Sequence, residues 1–320
     1  MKAVVLNGIT PADEIRLSDV PIPEVKPGWV LIKVKAFGMN HSEQILRQQE
    51  IAEDYITKPV IPGIECVGLI EEPSDTRFHK GQKVCAFMGG MGRRFNGSYA
   101  EYALLPERQV FAVATTLPWE RLGAVPETYF TAWGSLFECL RLEANDVLLV
   151  RGGTCALGYA AIQLAKALGC RVIATTHRAE KIPLLEDARA DESVLDDGII
   201  TGKVHGATKV LELVGPRNLR DTLSAVEKGG IVCNTGILGG IYTLDGFDPI
   251  KEIPNGVYLT GFFSNYPSQE IVDEVFRFLD RHNLTPKVGA VYDFTHIREA
   301  CLAQDGKQTV DGKIVVTLER

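Results

Sequence analysis

The sequence predicts a two-domain α/β protein: a compact β-rich unit joined to a doubly wound sheet of parallel strands. Three features predict it. The first third is dense in turns and short strand patterns. The middle runs strand, glycine turn, helix and strand within about 30 residues, the size of a βαβ unit. The last third ends on strands, as a chain does when it returns to complete its first domain. A length of 320 residues accommodates two cores of ordinary size.

In the first third, Met1 to Leu6 is a strand candidate. Pro27-Gly28 introduces Trp29 to Phe37, where Val30, Ile32, Val34 and Ala36 alternate with Leu31, Lys33, Lys35 and Phe37, the pattern of a half-buried strand. Pro59 to Ile70 reads as a turn followed by a strand, Gly81 to Val84 as a tight turn entering another, and Gly97 to Leu105 as a further strand. In the middle, Val147-Leu148-Leu149-Val150 is the short apolar run expected of a parallel strand buried on both faces. Leu157 to Leu168 is a helix stopped by Gly169, and Arg171 to Thr175 is the next strand. Lys209 to Leu213, Arg217 to Glu227 and Ile231 to Asn234 continue the alternation. Ser268 to Arg281 then reads as a helix, and Ala290 to Phe294 and Lys313 to Leu318 as strands.

Composition narrows the function classes. Hydrophobic residues make up 45% and charged residues 23%, ordinary for a globular chain. With 34 basic and 41 acidic residues the formal charge is −7, which disfavours a nucleic-acid partner. No stretch has the length of a membrane span, and Met1 to Gly8 is too briefly apolar for a signal peptide. Cys66, Cys85, Cys139, Cys155, Cys170, Cys233 and Cys301 form no C-x-x-C pair and no disulfide-like spacing, so the expected setting is a reducing cytoplasm with thiols as small packing residues.

The glycine turn carries the first chemistry. Gly153, Thr154, Cys155, Ala156, Leu157 and Gly158 enter a helix directly after a strand. A dinucleotide-binding turn needs a tight bend, close approach of backbone to pyrophosphate and a helix N-terminus offering free N–H groups. Gly153 and Gly158 fit the outer positions of G-x-G-x-x-G, while Cys155 replaces the middle glycine. The same turn serves as a plain strand–helix junction in other α/β proteins, and the flanking elements are what favour a nucleotide. At the tip of the second strand an NAD site places an acid for the ribose hydroxyls. Here the tip reads Thr176, His177, Arg178, with Lys181 nearby and Glu180 falling later, so the expected cofactor is NADPH, its 2′-phosphate met by a hydroxyl and cations. The alternative for Arg178 and Lys181 is a solvated helix face.

With these residues in place the chain resembles the medium-chain dehydrogenase/reductase superfamily, and within it the zinc-free quinone oxidoreductase branch. The resemblance spans essentially the whole chain through Pro27 to Val34, Gly38-Met39-Asn40, Pro62 to Gly68, Gly97 to Tyr102, the glycine turn and Gly312 to Val316. It implies a GroES-like β-rich catalytic domain (1–121 and 263–320), rejoined by the C-terminal segment, and a Rossmann NADP-binding domain (122–262), with the active site in the cleft between them. Members are often dimers, so a homodimer is expected. The resemblance also implies that Asn40 lies beside nicotinamide and substrate, that Thr131 sits on the nicotinamide-side helix, that Val214-Gly215 form an adenosine-side loop, that Thr235-Gly236-Ile237 lie near the nicotinamide ribose, and that Phe262-Phe263 contact the carboxamide through backbone. For Asn40 the plain reading is a turn-stabilising amide, and for the loops, hinge packing. Where relatives carry a Tyr shortly after the Asn, this chain has Ile45 and Leu46, and Asp197 stands near the position of an adenine-stacking Tyr. Lys313 reads as a solvated lysine within reach of a phosphate at most.

Zinc members hold the metal with Cys, His and a later ligand. Those positions fall here at Asn40, at Ile64 of Gly63-Ile64-Glu65 and near Glu127, and the structural-zinc lobe with its four cysteines is absent, so no metal is expected. His41 and Cys66 flank the lost positions, but neighbouring side chains of a strand point to opposite faces. Without a Lewis acid, hydride addition suits acceptors that delocalise the incoming charge, namely quinones and α,β-unsaturated carbonyls. The reading is therefore an NADPH-dependent, zinc-independent oxidoreductase acting on such a small molecule. Its alternatives are a zinc alcohol dehydrogenase and a non-catalytic NADPH-binding protein, as in lens zeta-crystallin-like relatives.

Overall fold

The computed structural model describes residues 1–308 and 310–318. The chain divides into Met1–Phe130 with Asn265–Arg320, and Thr131–Ser264.

The first unit is built on a seven-stranded sheet ordered Val288–Asp293, Lys313–Thr317, Trp29–Gly38, Glu65–Glu72, Lys83–Phe87 and Val110–Ala112, with Tyr102–Pro106 also on Trp29–Gly38. Its pairs are antiparallel except Val288–Asp293 with Lys313–Thr317, which run parallel. The C-terminal segment thus completes the β-rich unit, as expected. Trp29–Gly38 is the spine. Tyr102–Pro106 pairs with its residues 29–33 and Lys313–Thr317 with residues 36–38. The expected alternation holds for Val30, Ile32, Val34 and Ala36, all buried, and for exposed Lys33, but Leu31 and Phe37 are buried as well. Phe37 stacks on Tyr99 at 4.5 Å between ring centroids and meets Phe294 edge-on at 6.0 Å, so aromatic rings cover it at the end of this strand. The strand expected over Gly97 to Leu105 begins only at Tyr102. Before it, Gly97 N–H donates to Ile61 O (2.7 Å) and Tyr99 N–H to Pro62 O (3.0 Å), which wraps the segment around the Pro62-Gly63 turn.

The second unit is a six-stranded sheet, parallel throughout, in the order Glu192–Leu195, Arg171–Thr176, Val147–Arg151, Lys209–Glu212, Ile231–Asn234 and Tyr258–Gly261. Leu149, Ile173, Val210 and Val232 form its core, as the apolar runs require. The strand order reverses between Val147–Arg151 and Lys209–Glu212, and in such sheets ligands gather at the carboxyl ends beside that switch. The two edge strands, Glu192–Leu195 and Tyr258–Gly261, had no signal in the sequence, because edge strands are only half buried and carry no apolar run. Among the described residues no helix is long and apolar enough to cross a membrane, and all seven cysteines are free.

Candidate functional site

The strand Val147–Arg151 leads into the turn, and the helix Ala156–Leu168 leaves it, closing on Gly169 in the left-handed conformation (φ 100°). Gly152 bends the chain at φ +88°. Gly153 N–H donates to Thr175 O (2.8 Å) and Gly152 N–H to Thr175 Oγ1 (3.1 Å), tying the turn to the neighbouring strand. A Cβ on Gly158 would stand 2.4 Å from Gly153 O, so only glycine lets the helix start this close to the bend. Cys155, standing where a dinucleotide motif has its middle glycine, is the helix cap: its Sγ accepts from Gly158 N–H at 3.3 Å. Burial pushes its thiol above the ordinary range, and backbone N–H groups oppose that only in part, so it is a structural cap rather than a reactive thiolate.

Thr154, Cys155, Ala156 and Leu157 are half-buried and Gly153 and Gly158 buried. Thr154 Oγ1 lies 3.1 Å from Thr176 Oγ1, which links the turn to the tip of the second strand. Thr176 is buried, His177 and Arg178 are exposed and Lys181 is half-buried. Glu180 falls in the single turn Ala179–Lys181. Thr176, His177 and Arg178 at the tip include no carboxylate, and the turn that follows carries both Glu180, which is exposed, and Lys181. On the other side of the switch, Val214-Gly215 and Thr235-Gly236-Ile237 are stitched together: Gly236 N–H donates to Glu212 O (3.1 Å) and Leu238 N–H to Leu213 O (3.0 Å). Gly215 (φ +91°) would bring a Cβ to 2.4 Å from Gly236 O. Phe262 and Phe263 follow the strand Tyr258–Gly261 directly, and Phe263 is 70% exposed. Thr131 lies in the helix Pro126–Trp133, 5% exposed, its carbonyl accepting from Ser135 Oγ at 2.7 Å, and Ser135 Oγ in turn sits 2.9 Å from Thr235 Oγ1. Asp197 is engaged by Lys203 Nζ at 2.6 Å.

Beneath these loops lies a network that sequence reasoning missed. Arg151 is wholly buried at the end of its strand. It donates to both oxygens of Asp196 (2.8 and 3.0 Å), to Asp221 Oδ2 (2.7 Å), to Thr222 Oγ1 (2.7 Å) and to Gly198 O (3.1 Å). Its neighbour in register is Glu212, also wholly buried, which accepts from Val214 N–H (2.6 Å), Gly215 N–H (2.9 Å) and Thr222 Oγ1. Burial pushes the Glu212 carboxyl up, while these donors and Arg151 resist it. A signal did exist: opposite charges close two adjacent apolar strands, Val-Leu-Leu-Val-Arg and Lys-Val-Leu-Glu.

The first unit holds a second buried polar cluster. Asn40, half-buried at the start of the helix His41–Gln48, donates from Nδ2 to Glu65 Oε1 at 2.8 Å. Lys313 Nζ lies 2.7 Å from Glu65 Oε1, 2.6 Å from Asn40 Oδ1 and 2.8 Å from Thr128 Oγ1. Glu65 Oε2 accepts from Glu127 N–H at 2.9 Å. The reading of Lys313 as a solvated lysine is corrected here: it is 3% exposed, because it opens a strand laid against Gly38 and its stem runs inward. A Cβ on Gly38 would stand 2.3 Å from Lys313 Cε, so this glycine makes room for the pair. Glu43 is buried behind Asn40 and accepts from Asn40 N–H (2.7 Å) and Ile64 N–H (3.0 Å). Burial raises its carboxyl to about 7, against the pull of those N–H groups and Lys313.

Comparison with known proteins agrees with both units. The family described as "Alcohol dehydrogenase GroES-like domain" matches residues 26–115, and "Zinc-binding dehydrogenase" matches residues 156–281. Rat quinone oxidoreductase is 30% identical over 236 residues, covering 70% of this chain and 69% of the relative. The chain belongs to the medium-chain dehydrogenase/reductase superfamily. It falls in the quinone-oxidoreductase-like branch: the human quinone oxidoreductase is 28% identical over 296 residues, 88% of this chain and 87% of its own. The fold is shared with mycobacterial Rv1454c, whose structure was solved complexed with NADPH (TM-score 0.85, 24% identity, 99% of both chains). The protein is thus an oxidoreductase of the medium-chain superfamily with a GroES-like and a Rossmann unit.

Membership in a family that includes zinc dehydrogenases makes the metal a question for the side chains. The positions where the resemblance puts zinc ligands hold Asn40, whose carboxamide is engaged by Lys313 and Glu65, Ile64, which has no donor atom, and Glu127. An ammonium group already stands among the oxygens, and a dication beside it would be repelled. Cys66 is 1% exposed, its thiol pushed well up by burial, and His41 is exposed with Nδ1 on Gln44 Oε1 at 2.7 Å. Among the described residues no three His, Cys, Asp or Glu side chains group to hold a metal. These residues do not fit zinc. The second unit, by contrast, fits a dinucleotide, because close-packed glycines at 153, 158, 215 and 236 leave backbone where side chains would otherwise stand.

Proposed function

We propose that this protein is an NADPH-dependent, zinc-independent reductase of quinones or α,β-unsaturated carbonyls. The observation that carries this reading is the Asn40–Glu65–Lys313 cluster: of the three positions where the resemblance puts zinc ligands, one is Asn40, its carboxamide taken by Lys313 and Glu65, and another is Ile64. With an ammonium and a carboxamide there, the acceptor itself must delocalise the charge it gains. The bound cofactor supplies the hydride. The glycine turn and the N-terminus of Ala156–Leu168 seat its pyrophosphate, Val214-Gly215 and Thr235-Gly236-Ile237 its two ribose sides, and Phe262-Phe263 its carboxamide end. Thr176, His177, Arg178 and Lys181 receive the 2′-phosphate, a reading supported by the absence of an acid at the strand tip and by the NADPH in the mycobacterial structure of the same fold. Asn40 donates to the acceptor oxygen as its charge develops, and Thr131 lines the nicotinamide side. The free thiols suit a reducing cytoplasm, and a homodimer, which light scattering would register, is the expected assembly.

The test is NADPH and NADH oxidation by chelator-treated protein, with a simple quinone and an enone, for wild type and Arg178→Ala/Lys181→Ala. Hydrogen bonds to charged groups contribute about 1.5–3 kcal/mol, so the double variant should lose at least about tenfold in kcat/KM with NADPH and little with NADH. Equal use of both cofactors by wild type would refute the 2′-phosphate assignment. Turnover abolished by chelation would refute the zinc-independent one.

A further inference from the structure

The Lys313 ammonium has three N–H donors, and all three are committed: to Glu65 Oε1, to Asn40 Oδ1 and to Thr128 Oγ1. The Asn40 carboxamide is thereby gripped at both ends, its oxygen by a cation at 2.6 Å and its nitrogen by a carboxylate at 2.8 Å. Of the two orientations open to an amide, only this one avoids setting its oxygen on a carboxylate and its NH₂ on an ammonium. The backbone of Asn40 is held as well: its N–H donates to Glu43 Oε2 (2.7 Å) and its carbonyl accepts from Gln304 Nε2 (2.6 Å). One group remains loosely used. The second Nδ2–H has Gly38 O at 3.5 Å, the limit of a hydrogen bond, on a side chain that is half-buried rather than enclosed.

We propose that Lys313 is a positioning residue that fixes and polarises the Asn40 carboxamide, so that the second Nδ2–H is a strengthened donor to the oxygen gaining charge when hydride arrives. A cation on an amide oxygen draws density from its nitrogen, and hydrogen bonds in a chain strengthen one another in a low dielectric. The charge of Lys313 thus acts on the acceptor through Asn40, while the ammonium stays buried and its own proton is never transferred. Glu65 compensates the cation and sets the direction of the amide. The substrate class this favours is an acceptor whose charge collects on a carbonyl oxygen, as in enones and quinones alike. This inference rests on the reductase reading above.

Its test is a mutant cycle read in kcat, KM and NADPH affinity, with melting temperature as the fold control. Lys313→Met with Glu65→Gln removes the ion pair without leaving a lone buried charge. The expected result is kcat on an enone lower by on the order of a hundredfold, the scale of a misplaced catalytic group, with KM and NADPH affinity within about twofold of wild type. Asn40→Ala should cost about as much, and the triple variant no more than Asn40→Ala alone, because one route is being cut twice. A purely structural role would move NADPH affinity and melting temperature and would multiply with Asn40→Ala. Should the paired variant fail to fold, Thr128→Val loosens the ammonium while keeping both charges. It should lower kcat severalfold in the wild-type background and leave it unchanged in Asn40→Ala. Unchanged kcat in the paired variant, or losses that multiply across the cycle, would overturn the proposal while the reductase reading stands. Absence of any NADPH turnover by wild type would sink that reading, and this inference with it.

Discussion

Arg151→Met should unfold the Rossmann unit far more easily than its position in a turn sequence suggests. The guanidinium has five N–H groups, and the structure gives each an acceptor among Asp196, Gly198, Asp221 and Thr222. Asp196 is 6% exposed and Glu212 0%, with Glu212 Oε2 3.9 Å from Arg151 Nε. Methionine fills similar volume but leaves these carboxylates without their cation. Breaking a buried pair from one side costs about 3–5 kcal/mol. For a domain of this size each kcal/mol moves the melting temperature by roughly 2–4 °C, so the unit should melt roughly 6–20 °C lower. Arg151→Lys retains the charge but not the planar fork, and should recover only part of the loss. Two units need not unfold together, so the assay is urea unfolding followed by tryptophan fluorescence and by NADPH protection, which on the proposed cofactor assignment follows the Rossmann unit. A loss below about 1 kcal/mol would show that the carboxylates protonate or hydrate at little cost, against the burial argument.

Two further outcomes follow from the geometry. Gly158→Ala gains about 1 kcal/mol of helix propensity but sets a Cβ 2.4 Å from Gly153 O. The helix must then retreat from the turn, and NADPH affinity by fluorescence titration should fall about tenfold or more; affinity within twofold would refute the close-approach role. Glu43, raised from 4.5 to about 7 chiefly by burial, favours the folded state when protonated, so its contribution of up to about 3 kcal/mol declines as pH rises from about 4.5 through about 7 and is flat above. Urea unfolding of wild type and Glu43→Gln at about pH 5 and pH 8 checks this, and a stability difference between the two proteins that does not change with pH would contradict it.

The parts of the protein legible in the sequence are those governed by local periodicity or backbone necessity. Val147 to Val150 announces a doubly covered strand because it has no polar residue, and the helix over Leu157 to Leu168 is bounded as its closing glycine requires. The order of markers along the chain was enough to place it in its superfamily. Cys155 in the turn read as a packed small residue, yet its sulfur caps the helix, which no periodicity reports. The edge strands left no trace either, since Glu192–Leu195 has no buried residue. Lys313 was misread because a lysine is seldom buried unless paired, and its partners Glu65 and Asn40 are 248 and 273 positions away in the chain. Only tertiary pairing brings them together.

Two of the buried cations, Arg151 and Lys313, answer one problem differently. Arg151 closes an apolar strand and meets more carboxylate than it can neutralise, with Asp196, Asp221 and Glu212 around a single guanidinium. That excess is tolerable because Glu212 spends its remaining acceptor capacity on the N–H groups of Val214 and Gly215 and so holds the loop in shape. Lys313 is matched one to one with Glu65, and its surplus donors go to a carboxamide and a hydroxyl. A balanced pair of this kind adds little stability over an apolar replacement of the same shape, whereas the direction it imposes on Asn40 has no apolar substitute. Substitutions at Arg151 should therefore register chiefly in folding, and neutral replacement of the Lys313–Glu65 pair chiefly in turnover. That contrast separates a network that shapes a loop from one that aims a donor.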